Sequence, residues 1–176
     1  MSQIFAYGSL IWRPDFSYVK RRRAWLPGWF RRFWQASTDH RGTPTFPGRV
    51  VTLVAAPEAV CAGVLYDLDP MTADKTLAAL DHREKGGYER IAATVRLEDG
   101  SHSENVIVYH GDHRNPHFVG PEDETHTASV IRRAVGPSGA NLDYLLRLAH
   151  ALNQLGENDL HVTRLARLAE VEPATN

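Results

Sequence analysis

One glutamate occupies an unusual position, near the end of a predicted helix. In the segment LDHREKGGYER, Glu84 precedes Gly86 and Gly87, and glycine ends helices because it adopts the left-handed conformation without strain. The partial negative charge of a helix C-terminus disfavours a carboxylate. This placement, with burial against the glycine turn, is expected to raise the pKa of Glu84 toward that of a general base near neutral pH. The alternative is a surface glutamate whose charge Arg83 and Lys85 neutralise.

A glycine and a serine follow the first predicted strand directly. In AYGSLIW, Gly8 would let backbone N–H groups turn toward a ligand, and successive N–H groups form a concavity that binds anions. Ser9 is a candidate nucleophile, but no glycine follows it, so the strand–turn–helix motif G-x-S-x-G is absent. A tight turn at the end of a strand is the alternative.

Three histidines and an aspartate cluster in HGDHRNPH. His110, His113 and His117 would supply three nitrogen ligands to zinc. Gly111 and Pro116 interrupt the segment, which has no clear helical face and no spacing typical of metal capture. The sequence therefore favours a solvent-facing loop and no metal site.

The basic run KRRR at residues 20–23 lies close in sequence to three tryptophans. Such a combination can bind nucleic acid through phosphate contacts and base stacking. The chain carries 20 basic and 21 acidic residues, however, and its formal net charge is -1. Arg31 and Arg32, on alternating faces of a strand, are typical of a solvated or ion-paired surface. We therefore expect no nucleic-acid partner.

The composition is that of an ordinary globular protein. The 176 residues, 43% hydrophobic and 23% charged, predict one domain over 1–176 with a substantial core. The single cysteine, Cys61, excludes an internal disulfide and suits a reducing compartment. The first residues lack the pattern of a signal peptide, and no apolar stretch approaches the roughly 20 residues of a membrane span. We expect a cytoplasmic protein that binds no membrane.

The first half of the chain is predicted to form mainly strands. The predicted strands are 4–9, 24–35 broken in two at Pro27-Gly28, 49–55 and 60–68 on either side of the polar turn APEA, and 90–97 and 104–110 around an Asp-Gly turn. A helix from about residue 70 to Glu84 interrupts them, with Asp69 as N-cap and Pro70 at the first helical position.

Helices dominate the second half. The predicted helices are 122–134, 141–155 and 160 to about 169. In the middle helix, apolar residues at helical spacing predict one buried stripe: Leu142, Leu145, Leu146, Ala149, Leu152 and Leu155. Six or seven strands followed by helices predict an α+β protein, a small mixed β-barrel, closed or nearly closed, with flanking helices.

Four segments resemble the ChaC-type γ-glutamylcyclotransferases, the glutathione-specific branch of the γ-glutamylcyclotransferase-like family. They are YGSLIW, FWQASTDHRGTPTFPGRVVTL, LDHREKGGYER and GPSGANLDYL, in this order between about Phe5 and Leu155. Ala6 departs from the expected glycine before the first segment. The resemblance implies a small barrel with flanking helices, no cofactor, and cleavage of glutathione to 5-oxoproline and cysteinylglycine.

The resemblance also implies roles for individual residues. Glu84 would be the catalytic acid and base. The residues that would grip the γ-glutamyl group are Tyr7, Gly8, Ser9, Leu10 and Ile11, and weaker candidates for substrate contacts are Arg49 in PGRVV and Tyr144 in NLDYL.

The implied reaction needs few groups from the protein. The α-amine of the substrate attacks its own γ-carbonyl, and an oriented intramolecular reaction of this kind reaches effective molarities on the order of 10⁵ M. One carboxylate can move the protons, and backbone N–H groups of residues 8–10 can hold the α-carboxylate or the oxyanion. The alternatives are a cyclotransferase for other γ-glutamyl amines and a non-catalytic γ-glutamyl binder, although a pure binder has no need of Glu84.

Overall fold

The computed structural model describes residues 1–84 and 86–171, and within them five strands close into a barrel. The strands are β1 (Gln3–Ala6), β2 (Tyr18–Ser37), β3 (Gly48–Leu68), β4 (Glu89–Leu97) and β5 (His102–His110). Their order around the barrel is β1-β3-β2-β4-β5. Strand β1 pairs antiparallel with β3 and parallel with β5. The prediction of a closed, mixed barrel is therefore confirmed.

The two long strands differ from the prediction, which placed a turn inside each. Strand β2 runs without interruption for 20 residues and β3 for 21. Gly28 has a φ of +81°, so the chain passes the first predicted turn as a local distortion that glycine permits. In β3 the predicted turn falls where Pro57 and Glu58 are exposed. The turn signals therefore mark solvent-facing parts of continuous strands.

Strand β1 is also shorter than predicted. It ends at Ala6 instead of Ser9, and one turn of 3₁₀ helix follows at Ser9–Ile11. By contrast, β4 and β5 form the predicted hairpin, with Gly100 of the Asp-Gly turn at a φ of +83°. The local turn signal is decisive there because both partners are neighbours in sequence.

Helix α1 (Ala73–Arg83) begins three residues after the predicted start and ends one residue before the predicted end, with Glu84 as its C-cap. Asp69 does not cap it: its Oδ1 accepts from the Met71 N–H at 3.0 Å, and its carbonyl accepts from the Thr72 N–H at 3.0 Å. These bonds form a turn ahead of the helix, and Thr72 is the N-cap residue. The apolar face of α1 is buried in a cluster that comprises Ile4, Leu68, Ala73, Leu77, Leu80 and Tyr109.

The chain divides into two compact units, each built from two chain segments. The first comprises residues 1–31 and 52–116, and the second comprises residues 32–51 and those from 117 onward. The long strands β2 and β3 contribute to both units. The prediction of a single domain stays a prediction. No helix among residues 1–84 and 86–171 has the length and apolar character of a membrane span.

The second unit contains three helices and a short hairpin. The helices are α2 (Glu124–Arg133), α3 (Asn141–Gln154) and α4 (Leu160–Glu170), and the hairpin strands are β6 (Val135–Gly136) and β7 (Gly139–Ala140). Helix α2 packs against both α3 and α4. The buried residues of α3 are Asn141, Tyr144, Leu145, Leu148, Ala151 and Leu152. Only two of the six predicted residues are among them, because the buried face turns toward Tyr144, which a count of leucines overlooks.

Candidate active site

The end of α1 positions Glu84. Glu84 is the C-cap residue, and its N–H donates to the Leu80 carbonyl at 2.8 Å. Its own carbonyl accepts from the Tyr88 N–H at 3.1 Å, across the glycine turn. Gly87 has a φ of +106°, so the predicted left-handed glycine is present. The Glu84 side chain is 21% exposed, so it is only partly buried.

Residues 7–11, called the 7–11 loop below, offer backbone donors. The N–H groups of residues 11–13 donate to the carbonyls of Gly8 and Ser9 at 2.9–3.2 Å, inside the 3₁₀ turn. For the N–H groups of residues 8–10, the described part of the chain provides no acceptor. Consecutive N–H groups of this kind bind carboxylates and oxyanions.

The 7–11 loop is held in place by bonds to its side chains and carbonyls. The Tyr7 hydroxyl donates to the Tyr109 carbonyl at 2.7 Å, and Arg31 Nε donates to the Tyr7 carbonyl at 2.6 Å. The Tyr66 hydroxyl donates to the Leu10 carbonyl at 2.9 Å, and the Leu10 side chain packs against the apolar cluster of α1. The loop is thereby fixed before any ligand binds.

Arg83 connects the loop with the end of α1. Its Nη2 donates to Ser9 Oγ at 3.1 Å, and its Nε lies 3.7 Å from Glu84 Oε1. Its Nη1 lies 3.9 Å from Asp15 Oδ2. One guanidinium therefore contacts both the serine of the loop and the carboxylate of Glu84. A proton acceptor and a set of N–H donors are the two kinds of group that an intramolecular ring closure requires.

Arg49 and Tyr144 lie in the second unit, whereas Glu84 and the 7–11 loop lie in the first. The Arg49 guanidinium forms a bidentate pair with Glu122, at 2.7 and 2.9 Å, and both side chains are mostly buried. The Tyr144 hydroxyl lies 3.5 Å from the Val51 nitrogen, and Tyr144 is 6% exposed. Any substrate contact by Arg49 would share a guanidinium that already has a partner.

The histidine segment contains one residue that sequence reasoning misplaced. His110 is the last residue of β5, and its Nε2 lies 3.0 Å from the Leu53 carbonyl. Burial lowers the pKa of His110, so the ring is neutral near pH 7. The expectation of a solvent-facing loop is therefore wrong for His110, although His113 is exposed. Among the described residues, no group of three or more His, Cys, Asp or Glu is arranged to hold a metal ion.

The basic run on β2 contains ion pairs. Arg22 Nη2 lies 2.5 Å from Asp67 Oδ1, and Arg23 Nη1 lies 3.9 Å from Glu98 Oε1. Arg23 also stacks over the Trp25 ring at 4.6 Å from the centroid. These contacts fit the interpretation of the run as an ion-paired surface.

Sequence reasoning missed a buried arginine that supports the site. Arg31, predicted to lie on a solvated or ion-paired surface, is 1% exposed and donates to the carbonyls of Tyr7 and Ala62. The surface prediction is wrong because Arg31 shares its face of β2 with Phe33 and Gln35, both buried. The apolar Phe33, two positions further on and therefore on the same face of the strand, was the sequence signal available for the burial of Arg31.

A second missed group is a tyrosine that fixes α1 on the barrel. The Tyr109 hydroxyl donates to Asp81 Oδ1 at 2.9 Å, and Arg90 forms a bidentate pair with the same carboxylate. Burial and the hydrogen bond to Asp81 raise the pKa of Tyr109 to about 12, so the hydroxyl remains a donor. Because Asp81 lies one helical turn before Glu84, this bond helps to fix the position of the helix end.

Comparison with known proteins identifies the family. The model of the family described as ChaC-like protein matches residues 2–172, and the chain belongs to this family. Gamma-glutamylcyclotransferase 2-3 of Arabidopsis thaliana is 43% identical over 171 residues, which cover 93% of this chain and 85% of the relative. Human glutathione-specific gamma-glutamylcyclotransferase 1 is 41% identical over 156 residues, which cover 87% and 70%.

A solved structure confirms the fold. The crystal structure of the gamma-glutamyl cyclotransferase specific to glutathione from yeast matches this chain with a TM-score of 0.90 and 33% identity. The match covers 96% of this chain and 95% of the yeast chain. The resemblance found in the four sequence segments is therefore confirmed, and so is the predicted fold class.

Proposed function

We propose that this protein cleaves glutathione by attack of the γ-glutamyl α-amine on the γ-carbonyl, giving 5-oxoproline and cysteinylglycine. Membership of the ChaC-like family and the names of the human and yeast relatives support the choice of glutathione. The observation that carries the proposal is the sharing of Arg83 by Glu84 and Ser9. It brings a partly exposed carboxylate close to a loop with available N–H donors.

Glu84 moves protons in the proposed mechanism. Its carboxylate accepts a proton from the α-ammonium, which frees the nitrogen lone pair for attack on the γ-carbonyl carbon. The γ-amide C–N bond then breaks as the tetrahedral intermediate collapses, and the cysteinyl nitrogen takes the proton that Glu84 holds. The second proton of the ring nitrogen leaves to solvent. The lactam keeps one N–H, cysteinylglycine leaves as an amine, and Glu84 is ionised again.

The 7–11 loop holds the anionic part of the substrate in this mechanism. The N–H groups of residues 8–10 bind the α-carboxylate or the oxyanion that develops on the γ-carbonyl oxygen. Tyr7, Leu10 and Ile11 support the loop, since Tyr7 and Ile11 are buried and Leu10 packs against α1. Ser9 serves as a hydrogen-bond acceptor for Arg83, and an intramolecular nucleophile makes a covalent acyl-serine unnecessary.

Arg49 and Tyr144 are weaker candidates for substrate contacts than Glu84 and the 7–11 loop. The Arg49 side chain pairs with Glu122, and the Tyr144 hydroxyl of α3 lies near the Val51 nitrogen of β3, so both side chains link β3 to other parts of the second unit. A contribution of either residue to substrate binding would therefore act through a side chain that also supports the fold. The proposed setting is the cytoplasm, where glutathione is reduced and where the free, buried Cys61 is stable as a thiol.

The proposal is tested by identifying the product and by removing the proton acceptor. Wild-type protein incubated with glutathione is expected to release 5-oxoproline, measured by mass spectrometry. Glu84→Gln keeps the size of the side chain and should lower kcat by at least about 10²-fold, the usual range for loss of an acid–base group.

Glu89→Gln is the matched control for this experiment. It makes the same chemical change on an exposed residue at the start of β4. We expect this control to retain wild-type activity. Activity of Glu84→Gln within a few-fold of wild type would rule out the role assigned to Glu84.

A further inference from the structure

We propose that Arg83 is a positioning residue that couples the 7–11 loop to the proton acceptor, through separate nitrogens of one guanidinium. The inference rests on the proposed function, since it takes Glu84 as the acid and base. It adds two separate effects of Arg83 to that function. The positive charge favours the ionised form of Glu84, and the planar geometry of the guanidinium allows the hydrogen bond to Ser9.

The contacts of Arg83 use three different nitrogens. Nη2 donates to Ser9 Oγ at 3.1 Å, Nε lies 3.7 Å from Glu84 Oε1, and Nη1 lies 3.9 Å from Asp15 Oδ2. The planar guanidinium presents its donors in a fixed fork, so one side chain can satisfy acceptors in different directions. A lysine ammonium, a compact charge on a flexible stem, does not reproduce this arrangement.

The guanidinium of Arg83 is a cation within reach of the Glu84 carboxylate, since Nε lies 3.7 Å from Oε1. Among the described residues, Asp15 also lies near the guanidinium and is itself paired with Arg13 at 2.9 Å, and Lys75 lines the adjoining cavity. Asp81 is already paired with Arg90. A cation within about 4 Å favours the ionised carboxylate, and this is the form that accepts a proton.

Arg83 can be changed without opening a hole in the core. Its side chain is 33% exposed and lines a cavity of about 520 Å³ together with Asp15, Phe16 and Lys75. A shorter polar residue would leave its end in contact with water. We therefore expect Arg83→Gln and Arg83→Lys to fold, which circular dichroism and thermal unfolding will check.

The test separates the effect of the positive charge of Arg83 from the effect of its guanidinium geometry. The titration midpoint of the Glu84 carboxyl group, followed by ¹³C NMR with labelled glutamate, does not depend on turnover. In Arg83→Gln we expect this midpoint to rise, because the variant removes a cation that lies beside the carboxylate. The acid limb of the kcat profile should move with it. In Arg83→Lys, which keeps a cation, the midpoint should move by less than half as much.

The effect of the guanidinium geometry is measured by the KM for glutathione. Both Arg83 variants lose the bond to Ser9 and should raise KM for glutathione about 3- to 10-fold, the effect of one ordinary hydrogen bond. Combining Arg83→Lys with Ser9→Ala should raise KM no further than either change alone, because both remove the same bond. Arg147→Gln is the matched control: Arg147 is an exposed helical arginine paired with Asp143 at 2.9 Å, and its loss should alter neither quantity.

Each possible result decides the proposal. An unchanged Glu84 midpoint in Arg83→Gln, or additive KM effects in the double variant, would overturn it. Failure of the proposed function is recognised separately, because wild-type protein would then release no 5-oxoproline. The NMR titration would still show whether Arg83 governs the ionisation of Glu84.

Discussion

The hydroxyl of Ser9 accepts a hydrogen bond from Arg83 and lies in a loop whose neighbouring N–H groups are available. We expect Ser9→Ala to raise KM about 3- to 10-fold with kcat nearly unchanged, because the loop acts mainly through its backbone and loses one hydrogen bond. Steady-state kinetics with glutathione will measure both constants. A covalent acyl group trapped on Ser9 would contradict this account and favour nucleophilic catalysis.

Single residues differ in how far the sequence reveals their place. The position of Glu84 could be predicted because a helix end and a glycine turn are local signals. The burial of Arg31 had only a weak local signal, the apolar Phe33 two positions further on, because its acceptors, the Tyr7 and Ala62 carbonyls, belong to segments distant in sequence. The link from Arg83 to Ser9 spans 74 positions and depends on the same tertiary arrangement.

The turn after α1 is the element that sets the direction of Glu84. Gly87 has a φ of +106°, and a Cβ added there would lie 2.6 Å from Asn115 Oδ1. Gly87→Ala should therefore lower the free energy of unfolding by about 2–4 kcal/mol, through backbone strain and the clash. It should also lower kcat several-fold, because the turn shifts. Denaturant unfolding and steady-state kinetics will measure these effects.

Gly100 provides the matched control for that change. Its φ is +83°, but a Cβ there has no neighbour within 4 Å among the described residues. Gly100→Ala should carry the backbone strain alone, about 1 kcal/mol, and leave kcat unchanged. Equal losses of stability in the two variants, with full activity in both, would show that the turn after α1 does not position Glu84.

Elements that depend on local signals were predictable, and those that depend on distant pairing were not. The β4–β5 hairpin and helix α4 lie close to their predicted bounds. Strands β2 and β3 continue through residues that read as turns in isolation, since pairing within the barrel outweighs local propensity. The buried face of α3 is rotated from the leucine stripe for a similar reason, because Tyr144 packs edge-on against Phe33.

The stability of the whole chain should depend on the ionisation of His161. His161 is 6% exposed; its Nε2 accepts from the Phe33 N–H at 3.1 Å, and its Nδ1 lies 3.1 Å from Glu124 Oε1. Burial lowers the pKa of His161, although the hydrogen bond to Glu124 opposes this. As the pH decreases below about 6.5, the imidazole is protonated in the unfolded chain while it is still neutral in the folded chain. The free energy of unfolding should therefore decrease as the pH decreases.

Urea unfolding at pH 7.0 and pH 5.5 will test this dependence. His161→Gln keeps an acceptor for the Phe33 N–H and does not titrate, so its stability should change less between the two pH values than that of wild type. His150→Gln, an exposed change on α3, is the control and should behave like wild type. A pH dependence in His161→Gln as large as in wild type would contradict the assignment.

The most direct test of the central claim uses the amine of the substrate. N-acetyl-glutathione keeps the γ-amide, the thiol and both carboxylates, but its acylated nitrogen is a poor nucleophile. A hydrolase would still cut the γ-amide, because water or a side chain attacks there. We predict that glutathione yields 5-oxoproline and that the acetylated analogue is not cleaved, both measured by mass spectrometry. Free glutamate as the product, or steady cleavage of the analogue, would contradict the cyclotransferase mechanism.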